Sequence, residues 1–228
     1  MSYWRIIASG SSGNATVLHN KILIDCGVPF KLLEPYYRKL SLVLLTHIHS
    51  DHFNRSTIAR LARERPSLRF GCCEWLCMPL IDCGVSPANI DVYTEDTAYN
   101  YGSIMVKAVP LVHNVPNCGY KIRLGDIGKW VFYATDTNNL NGIEAKGYDL
   151  YLVEANFEED EIKERIENKK YHCEYAYEMQ VLKNHLSRQK ADDWIYKNIK
   201  QNGTYIYMHE HRRDKDGYVT VGNGHDNP

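Results

Sequence analysis

The chain has 228 residues, of which 44% are hydrophobic, so it is long enough to bury a substantial core. Its formal net charge of −1 argues against a protein that holds nucleic acid over its whole surface, and restricts any such binding to a local site. The N-terminus lacks the apolar stretch of a signal peptide, and no run reaches the ~18 apolar residues of a membrane helix. We therefore expect a single cytoplasmic domain over residues 1–228, without a membrane partner.

The first half of the chain alternates short apolar runs with turn residues. Pro29 suits the first turn of a helix that is predicted to run to about Lys39. Thr57–Arg65 has the pattern of a second helix, which stops before Pro66. A hairpin is expected near Asn20. The predicted strands of this half are Trp4–Ala8, Ala15–His19, Lys21–Asp25 and Leu42–Leu45.

The seven cysteines are odd in number and include no C-x-x-C pair, which indicates reduced thiols. Cys72, Cys73 and Cys77 lie close enough in sequence to suggest a zinc site. No fourth ligand follows at the spacing of a zinc finger. The segment is therefore interpreted as the end of a strand that runs into a helix.

The second half of the chain also alternates strands with helices, a pattern typical of an α/β architecture. Two mixed β-sheets packed face to face, with the helices outside, would accommodate it as an αββα sandwich. The predicted strands are Ile104–Val109, Gly119–Arg123, Trp130–Ala134, Leu150–Val153 and Thr204–Met208. The predicted helices are Glu158–Glu167, Glu174–Lys183 and Ser187–Ile199.

The segment Thr46–His52 places three histidines and one aspartate directly after a buried strand. In an extended loop, residues two apart point the same way, so His47 and His49 can offer imidazole nitrogens to one metal ion. Asp51 and His52 fall where the chain turns toward a helix, and can face a second ion. Such ligands suit several divalent metals, and we expect two zinc ions, with manganese as the alternative.

The string His47-x-His49-x-Asp51-His52 resembles the signature of the metallo-β-lactamase superfamily, and the resemblance extends over nearly the whole chain. It implies the αββα sandwich and a centre of two metal ions. Asp25 resembles the aspartate that supports the metal loop from behind. The metal ligands that the resemblance implies are His47, His49, Asp51, His52, His113, Asp136 and His209.

Three of these ligands lie outside the loop. His113 resembles the third ligand of the first ion, Asp136 the carboxylate that bridges both ions, and His209 the last ligand of the second ion. His209 directly follows the predicted strand Thr204–Met208, which favours it over His211. His211 would then line the substrate cleft.

The expected centre stays positively charged, because two divalent ions outweigh two aspartates and a bridging hydroxide. It therefore attracts phosphate and makes the metal-bridged hydroxide available near neutral pH. Asp51 and His185 are the predicted catalytic residues, with His185 protonating the leaving oxygen. Ser187 is expected to cap the following helix, whose N-terminus is a natural phosphate site.

The string Asn184-His185-Leu186-Ser187 resembles the one that carries this acid in nuclease branches of the superfamily. Glu154-Ala-Asn-Phe157 resembles the E-[SA]-N segment of those branches. With the opening Ala8–Ala15, these strings resemble small bacterial exonucleases of the YycJ/WalJ type, which implies degradation of single-stranded DNA. Asn184 and Arg188 depart from the glycine and asparagine of that type, and 210–213 departs from its L-S-x-D-N segment.

The leading hypothesis is therefore a metal-dependent phosphodiester hydrolase, a nuclease acting on single-stranded DNA or RNA. Arginines after the two ligand-bearing segments are expected to bind its phosphates. The predicted substrate-binding residues are Ser187, Arg188, His211 and Arg212.

Other hypotheses remain open. A phosphodiesterase for cyclic mono- or dinucleotides would use the same ligands, and the near-zero net charge suits its small substrate. A thioester or lactam hydrolase would keep the metals but leave His185 without a task. A metal-binding protein without catalysis would leave the complete ligand set unexplained. The resemblance also suggests a homodimer.

Overall fold

The computed structural model describes residues 2–95, 97–172, 177–210 and, as backbone, 221–223. The chain divides into two compact units, Met1–Tyr99 and Asn100–Pro228. The described strands form one sheet of six strands and one of seven, both of mixed direction. The prediction of an α/β chain with two mixed sheets and helices is confirmed.

The first sheet belongs to the first unit. Its strands, in spatial order, are β1 (Trp4–Ala8), β2 (Ala15–Leu18), β3 (Ile22–Ile24), β4 (Leu42–Leu44), β5 (Arg69–Cys73) and β6 (Ile90–Tyr93). The pairs β1–β2 and β2–β3 are antiparallel, and the remaining pairs are parallel. The predicted hairpin is present, with His19 and Asn20 at positive φ, as a tight turn with the twist of its strands requires.

Three short helices accompany this sheet: α1 (Phe30–Leu33), α2 (Arg55–Glu64) and α3 (Cys77–Asp82). The predicted helix from Pro29 to about Lys39 is wrong in length. Pro35 ends α1, because a proline lacks the N–H that a helix interior needs and disfavours helical backbone before it. A separate 3₁₀ turn follows at Tyr37–Lys39.

The core of the first unit lies on the face of the sheet that its helices cover. Leu23, Val43 and Phe70 from adjacent strands are fully buried, as are Ile58 and Leu61 of α2. The i, i+3 spacing of the last two is the apolar stripe of a helix that packs on a core.

The cysteine segment has the structure that was predicted for it. Strand β5 ends at Cys73, and α3 begins at Cys77 after a 3₁₀ turn. Burial raises the pKa of the Cys72 thiol far above its ordinary range. The thiol is therefore uncharged, which fits a packing role rather than a metal-binding one.

The second sheet belongs to the second unit. Its strands, in spatial order, are β7 (Ala98–Tyr101), β8 (Ile104–Leu111), β9 (Asn117–Leu124), β10 (Lys129–Ala134), β11 (Leu150–Glu154), β12 (Thr204–Met208) and β13 (Val221–Asn223). The strands β10, β11 and β12 run parallel to one another. Their carboxyl ends therefore meet at one edge of the sheet.

The helices of the second unit are α4 (Glu159–Tyr171), α5 (Glu178–Asn184) and α6 (Arg188–Asn198). Alternate residues of the parallel strands, such as Phe132 and Tyr151, point toward Ala191 and Ile195 of α6 and form a second core. None of the described helices combines the length and the apolar character needed to cross a membrane.

Candidate functional site

The histidine-rich loop of the first unit begins one residue after β4 and leads into α2. Its last turn is closed by backbone hydrogen bonds from His52 and Phe53 to the carbonyl oxygen of His49, at 2.9 and 2.8 Å. Asn54 caps α2 by accepting from the Thr57 N–H at 3.0 Å. The loop is thus a fixed strand-to-helix connection rather than a mobile one.

Asp25 determines the tautomers of two loop histidines. Its Oδ1 accepts from the N–H and the hydroxyl of Thr46, at 3.0 and 2.9 Å. Because the Thr46 hydroxyl proton points to Asp25, its oxygen accepts from His47 Nδ1 at 2.9 Å. His52 Nδ1 donates to the other carboxylate oxygen at 2.7 Å. Both imidazoles therefore carry the lone pair on Nε2, which is the form that binds a metal ion.

The spacing of the first two histidines also fits a metal ion. His47 Nε2 and His49 Nδ1 lie 3.2 Å apart. Two nitrogens bound at about 2.0–2.1 Å to one tetrahedral zinc are separated by about 3.3 Å. The donor atoms present at this loop therefore fit a divalent ion with nitrogen ligands.

Asn14 holds the other half of the loop. Its buried amide lies 2.8 Å from His52 Nε2 and 3.3 Å from Asp51 Oδ2, and donates to the Asp51 carbonyl at 3.2 Å. Gly27 packs against the same carbonyl, and a Cβ added there would come within 1.7 Å of it. The close approach explains why the sequence has glycine at this position.

Asp25→Ala is expected to weaken metal affinity about 10–100-fold, because this carboxylate sets the tautomers of two ligands. Competition with a chromogenic chelator measures the affinity. Asp82→Ala, which removes an exposed carboxylate of the first unit, is the matched control. Equal affinities of the two variants would contradict the supporting role of Asp25.

In the second unit, the candidate residues cluster at the carboxyl ends of strands. Asp136 and His209 follow β10 and β12, and Glu154 is the last residue of β11. His185 follows α5. One ligand atom from each of Asp136, Glu154, His185 and His209 lies within 4.8 Å of the others. Three of these residues are buried and His185 is partly exposed, and two imidazoles with two carboxylates at this distance are able to hold a divalent ion.

His113 follows β8 and faces Asp136. Its Nδ1 donates to the carbonyl oxygen of Asn184 at 3.0 Å, so its lone pair is on Nε2. That nitrogen lies 3.9 Å from Asp136 Oδ1, and His209 Nε2 lies 3.7 Å from the same oxygen. Asn138 holds the chain on the other side by donating to the carbonyl of Lys183 at 2.8 Å. The end of α5 therefore positions His113 as well as His185.

Glu154 is a site residue that the sequence-based set of ligands and catalytic residues omits. Its fully buried carboxylate accepts from the N–H groups of Thr137 and Leu186, at 2.9 and 3.2 Å, and lies 2.6 Å from His185 Nδ1. It therefore joins the segment after Asp136 to the turn at His185. The resemblance of Glu154–Phe157 to the E-[SA]-N segment was the only signal for it.

The environment of His185 favours its protonated form. Burial lowers the pKa of the imidazole. The hydrogen bond to Glu154 and the charges of Glu154 and Asp136 raise the pKa by more than burial lowers it, so the pKa lies above its ordinary value. The ring stacks on that of His209, with centroids 5.3 Å apart. Glu154 holds Nδ1, so Nε2 is the nitrogen that can give a proton to a substrate.

Three candidate residues have left-handed backbone, with φ values of 58° at Asp25, 56° at Asp136 and 54° at His209. This conformation costs a non-glycine residue about 1–3 kcal/mol and persists only when the surroundings hold it. Asn117 donates to the carbonyl of Asp136 at 2.7 Å, and Asn156 to that of His209 at 2.8 Å. These buried amides stabilise the strained backbone.

Two of the four predicted substrate-binding residues, Ser187 and Arg188, lie within the described part of the chain. Ser187 caps α6, as predicted, by accepting from the Lys190 N–H at 3.2 Å, and its buried hydroxyl donates to Glu159 at 2.8 Å. Both hydrogen bonds engage the Ser187 hydroxyl in the structure, and its contact with a substrate stays a prediction. Arg188 is partly exposed, with its guanidinium 4.8 Å from the Tyr207 ring centre. His211 and Arg212 lie outside the described residues.

The fold and the metal-binding types of residue place the chain in the class of metal-dependent α/β proteins. Comparison with known families identifies the family within that class. Residues 20–190 match the family described as the beta-lactamase superfamily domain. The match covers well over half of the chain, which therefore belongs to that family and has the metallo-β-lactamase fold. Among curated proteins, no sequence matched the chain.

Solved structures agree on the fold. The metallo-beta-lactamase fold protein YhfI from Bacillus subtilis superimposes with a TM-score of 0.68 and 17% identity, over 96% of this chain and 98% of that one. The short form of human tRNase Z superimposes with a TM-score of 0.67 and 15% identity, over 95% of this chain and 98% of that one. A diphosphatase of the PhnP family superimposes with a TM-score of 0.59 and 13% identity, over 96% of each chain. At these identities the likeness shows the fold alone.

Proposed function

We propose that this chain is a metal-dependent phosphodiester hydrolase and that its substrate is single-stranded DNA or RNA. Two divalent ions, zinc or manganese, are the proposed cofactors. The ligands we assign to them are His47, His49, Asp51, His52, His113, Asp136 and His209. Membership in the superfamily supports a metallohydrolase, and the donor atoms of both units are of the types that these ions prefer.

The pairing of His185 with Glu154 is the observation that carries the choice of a phosphodiester as the class of substrate. A nucleoside departs from a phosphodiester as an alkoxide, whose oxygen needs a proton. His185 lies beside Asp136 and His209, its Nδ1 is fixed by Glu154 at 2.6 Å, and the charge of that carboxylate favours the protonated imidazole. A thioester releases a thiolate of much lower basicity, so a hydrolase for thioesters would have little use for this acid.

The remaining residues position the reacting groups. Bound divalent ions would supply positive charge for the phosphate and a water of lowered pKa. Asp25 and Asn14 hold the loop histidines and Asp51 in place, and Glu154 orients the acid. Two structural neighbours, a tRNase Z and a diphosphatase, are named for substrates with phosphorus–oxygen bonds, which is consistent with this proposal.

A side-by-side turnover assay tests the substrate. The protein, loaded with Zn²⁺ or Mn²⁺, is given end-labelled single-stranded DNA and RNA in one arm and cyclic mono- and dinucleotides in the other. We expect the polymers to be degraded and the cyclic nucleotides to persist. Turnover of a cyclic nucleotide with intact polymers would replace the nuclease by a small-nucleotide phosphodiesterase. Silence in both arms with metal bound would refute phosphodiester hydrolysis.

A further inference from the structure

A groove runs along one side of α6 in the second unit. It consists of two adjoining hollows of about 280 and 540 Å³. The smaller hollow is lined by Leu186, which directly follows His185, and by Asn139, three residues after Asp136. The groove therefore begins at the segments that carry the acid and a metal ligand. The residues that line both hollows are Leu140, Asn141, Trp194 and Lys197.

The helix presents a charged and aromatic face to this groove. Lys190, Asp193, Trp194 and Lys197 follow the i, i+3, i+4, i+7 spacing of a single helix face, and all four line the smaller hollow. Lys190 and Lys197 are exposed, and neither ammonium forms an ion pair within the part of the chain that the structure describes. Lys146, at the far end of the groove, is paired with Glu144 at 3.1 Å.

We propose that this groove binds the nucleotides that flank the reacting phosphodiester of a single-stranded nucleic acid. The proposal rests on the proposed hydrolase function and specifies its substrate as a polymer. Lys190 and Lys197 lie about 10 Å apart along the helix, so a chain with a phosphate on every nucleotide can engage both. A cyclic mononucleotide has one phosphate, which lies at the reacting centre, so it has no second phosphate for Lys190 or Lys197 to bind.

The other lining residues suit the bases of such a strand. Trp194 Nε1 donates to the Ile143 carbonyl at 2.8 Å, and its ring packs against Phe132 with centroids 4.7 Å apart. The part of the indole that stays exposed offers the groove an apolar surface for a base. The side-chain amides of Asn139 and Asn141 offer donors and acceptors without a fixed charge. Asp193 is the acidic residue on the same helix face, and it should weaken rather than assist the binding of a polyanion.

The test is the double substitution Lys190→Glu with Lys197→Glu, compared with Lys163→Glu and Lys170→Glu. The control lysines are exposed on α4 and have the same seven-residue spacing. Two measurements are made on each protein: the KM for a single strand of about 20 nucleotides, and the Kd of the same labelled strand by fluorescence anisotropy. Bis(p-nitrophenyl) phosphate serves as a small diester that does not reach the groove.

We expect the groove variant to raise both KM and Kd about tenfold, because two phosphate contacts are lost and the new negative charges repel the strand. Its turnover of the small diester should match that of the wild type, and the α4 control should behave as wild type throughout. Asp193→Asn should lower the Kd. Unchanged oligonucleotide Kd in the groove variant would overturn the inference. Absence of turnover of every diester would instead refute the hydrolase, while the Kd comparison still decides the groove.

Discussion

Asp136→Asn and His49→Ala are each expected to abolish phosphodiester hydrolysis, with a loss of at least about 10³-fold. The Asp136 carboxylate lies within 4 Å of His113 and His209, as a shared metal ligand would. Loss of a ligand should weaken metal binding, and metal ions contribute several kcal/mol to the stabilisation of a phosphoryl transition state. Asparagine is chosen at position 136 because it tolerates the left-handed backbone found there. The variant thus removes charge without adding strain.

Turnover of bis(p-nitrophenyl) phosphate and metal content by mass spectrometry check this prediction together. His172→Ala is the matched control, because this histidine is exposed at the end of α4. Both ligand variants should contain less metal than the control. Hydrolysis at the wild-type rate by either ligand variant would show that the ligand assignment is wrong.

His185→Ala is expected to slow turnover of an oligonucleotide about 10²–10⁴-fold while metal content stays near the wild-type value. The effect should depend on the leaving group. A p-nitrophenolate needs no proton to depart, so the same variant should lose far less activity toward bis(p-nitrophenyl) phosphate. Glu154→Gln should follow the same pattern with a smaller loss, because it disturbs the orientation of the acid without removing it.

Two outcomes would contradict this role for His185. Loss of metal from His185→Ala would make the residue a ligand, which its membership in the cluster with Asp136 and His209 permits geometrically. An equal loss of activity toward both leaving groups would show that the residue does not donate the proton.

The elements that the sequence predicts well are those with a local signal. Continuous apolar runs such as Leu42–Leu45 and Leu150–Val153 indicate buried strands, and both are present. The histidine loop is recognisable because its ligands are adjacent in sequence. Ser187 is identifiable as a helix cap because capping depends on one residue and its neighbours.

The features that were missed depend on contacts between distant segments. Glu154 lies at the end of an apolar strand, and its role becomes apparent only when the turns at Thr137 and Leu186 meet it. Strands β6 and β7 are four residues long, lie at sheet edges and are partly exposed, so their hydrophobic pattern is weak. The positive φ values of Asp136 and His209 have no sequence signal, because asparagine side chains from other elements hold them.

The central claim is that hydrolysis of a phosphodiester by this chain requires bound divalent metal, and one titration tests it most directly. The protein is stripped with a chelator, dialysed, and reloaded with Zn²⁺ or Mn²⁺ in steps while hydrolysis of bis(p-nitrophenyl) phosphate is followed. We predict no activity in the stripped protein, and activity that rises with added metal and saturates at two ions per chain. Full activity without metal, or no hydrolysis with two ions bound, would contradict the claim.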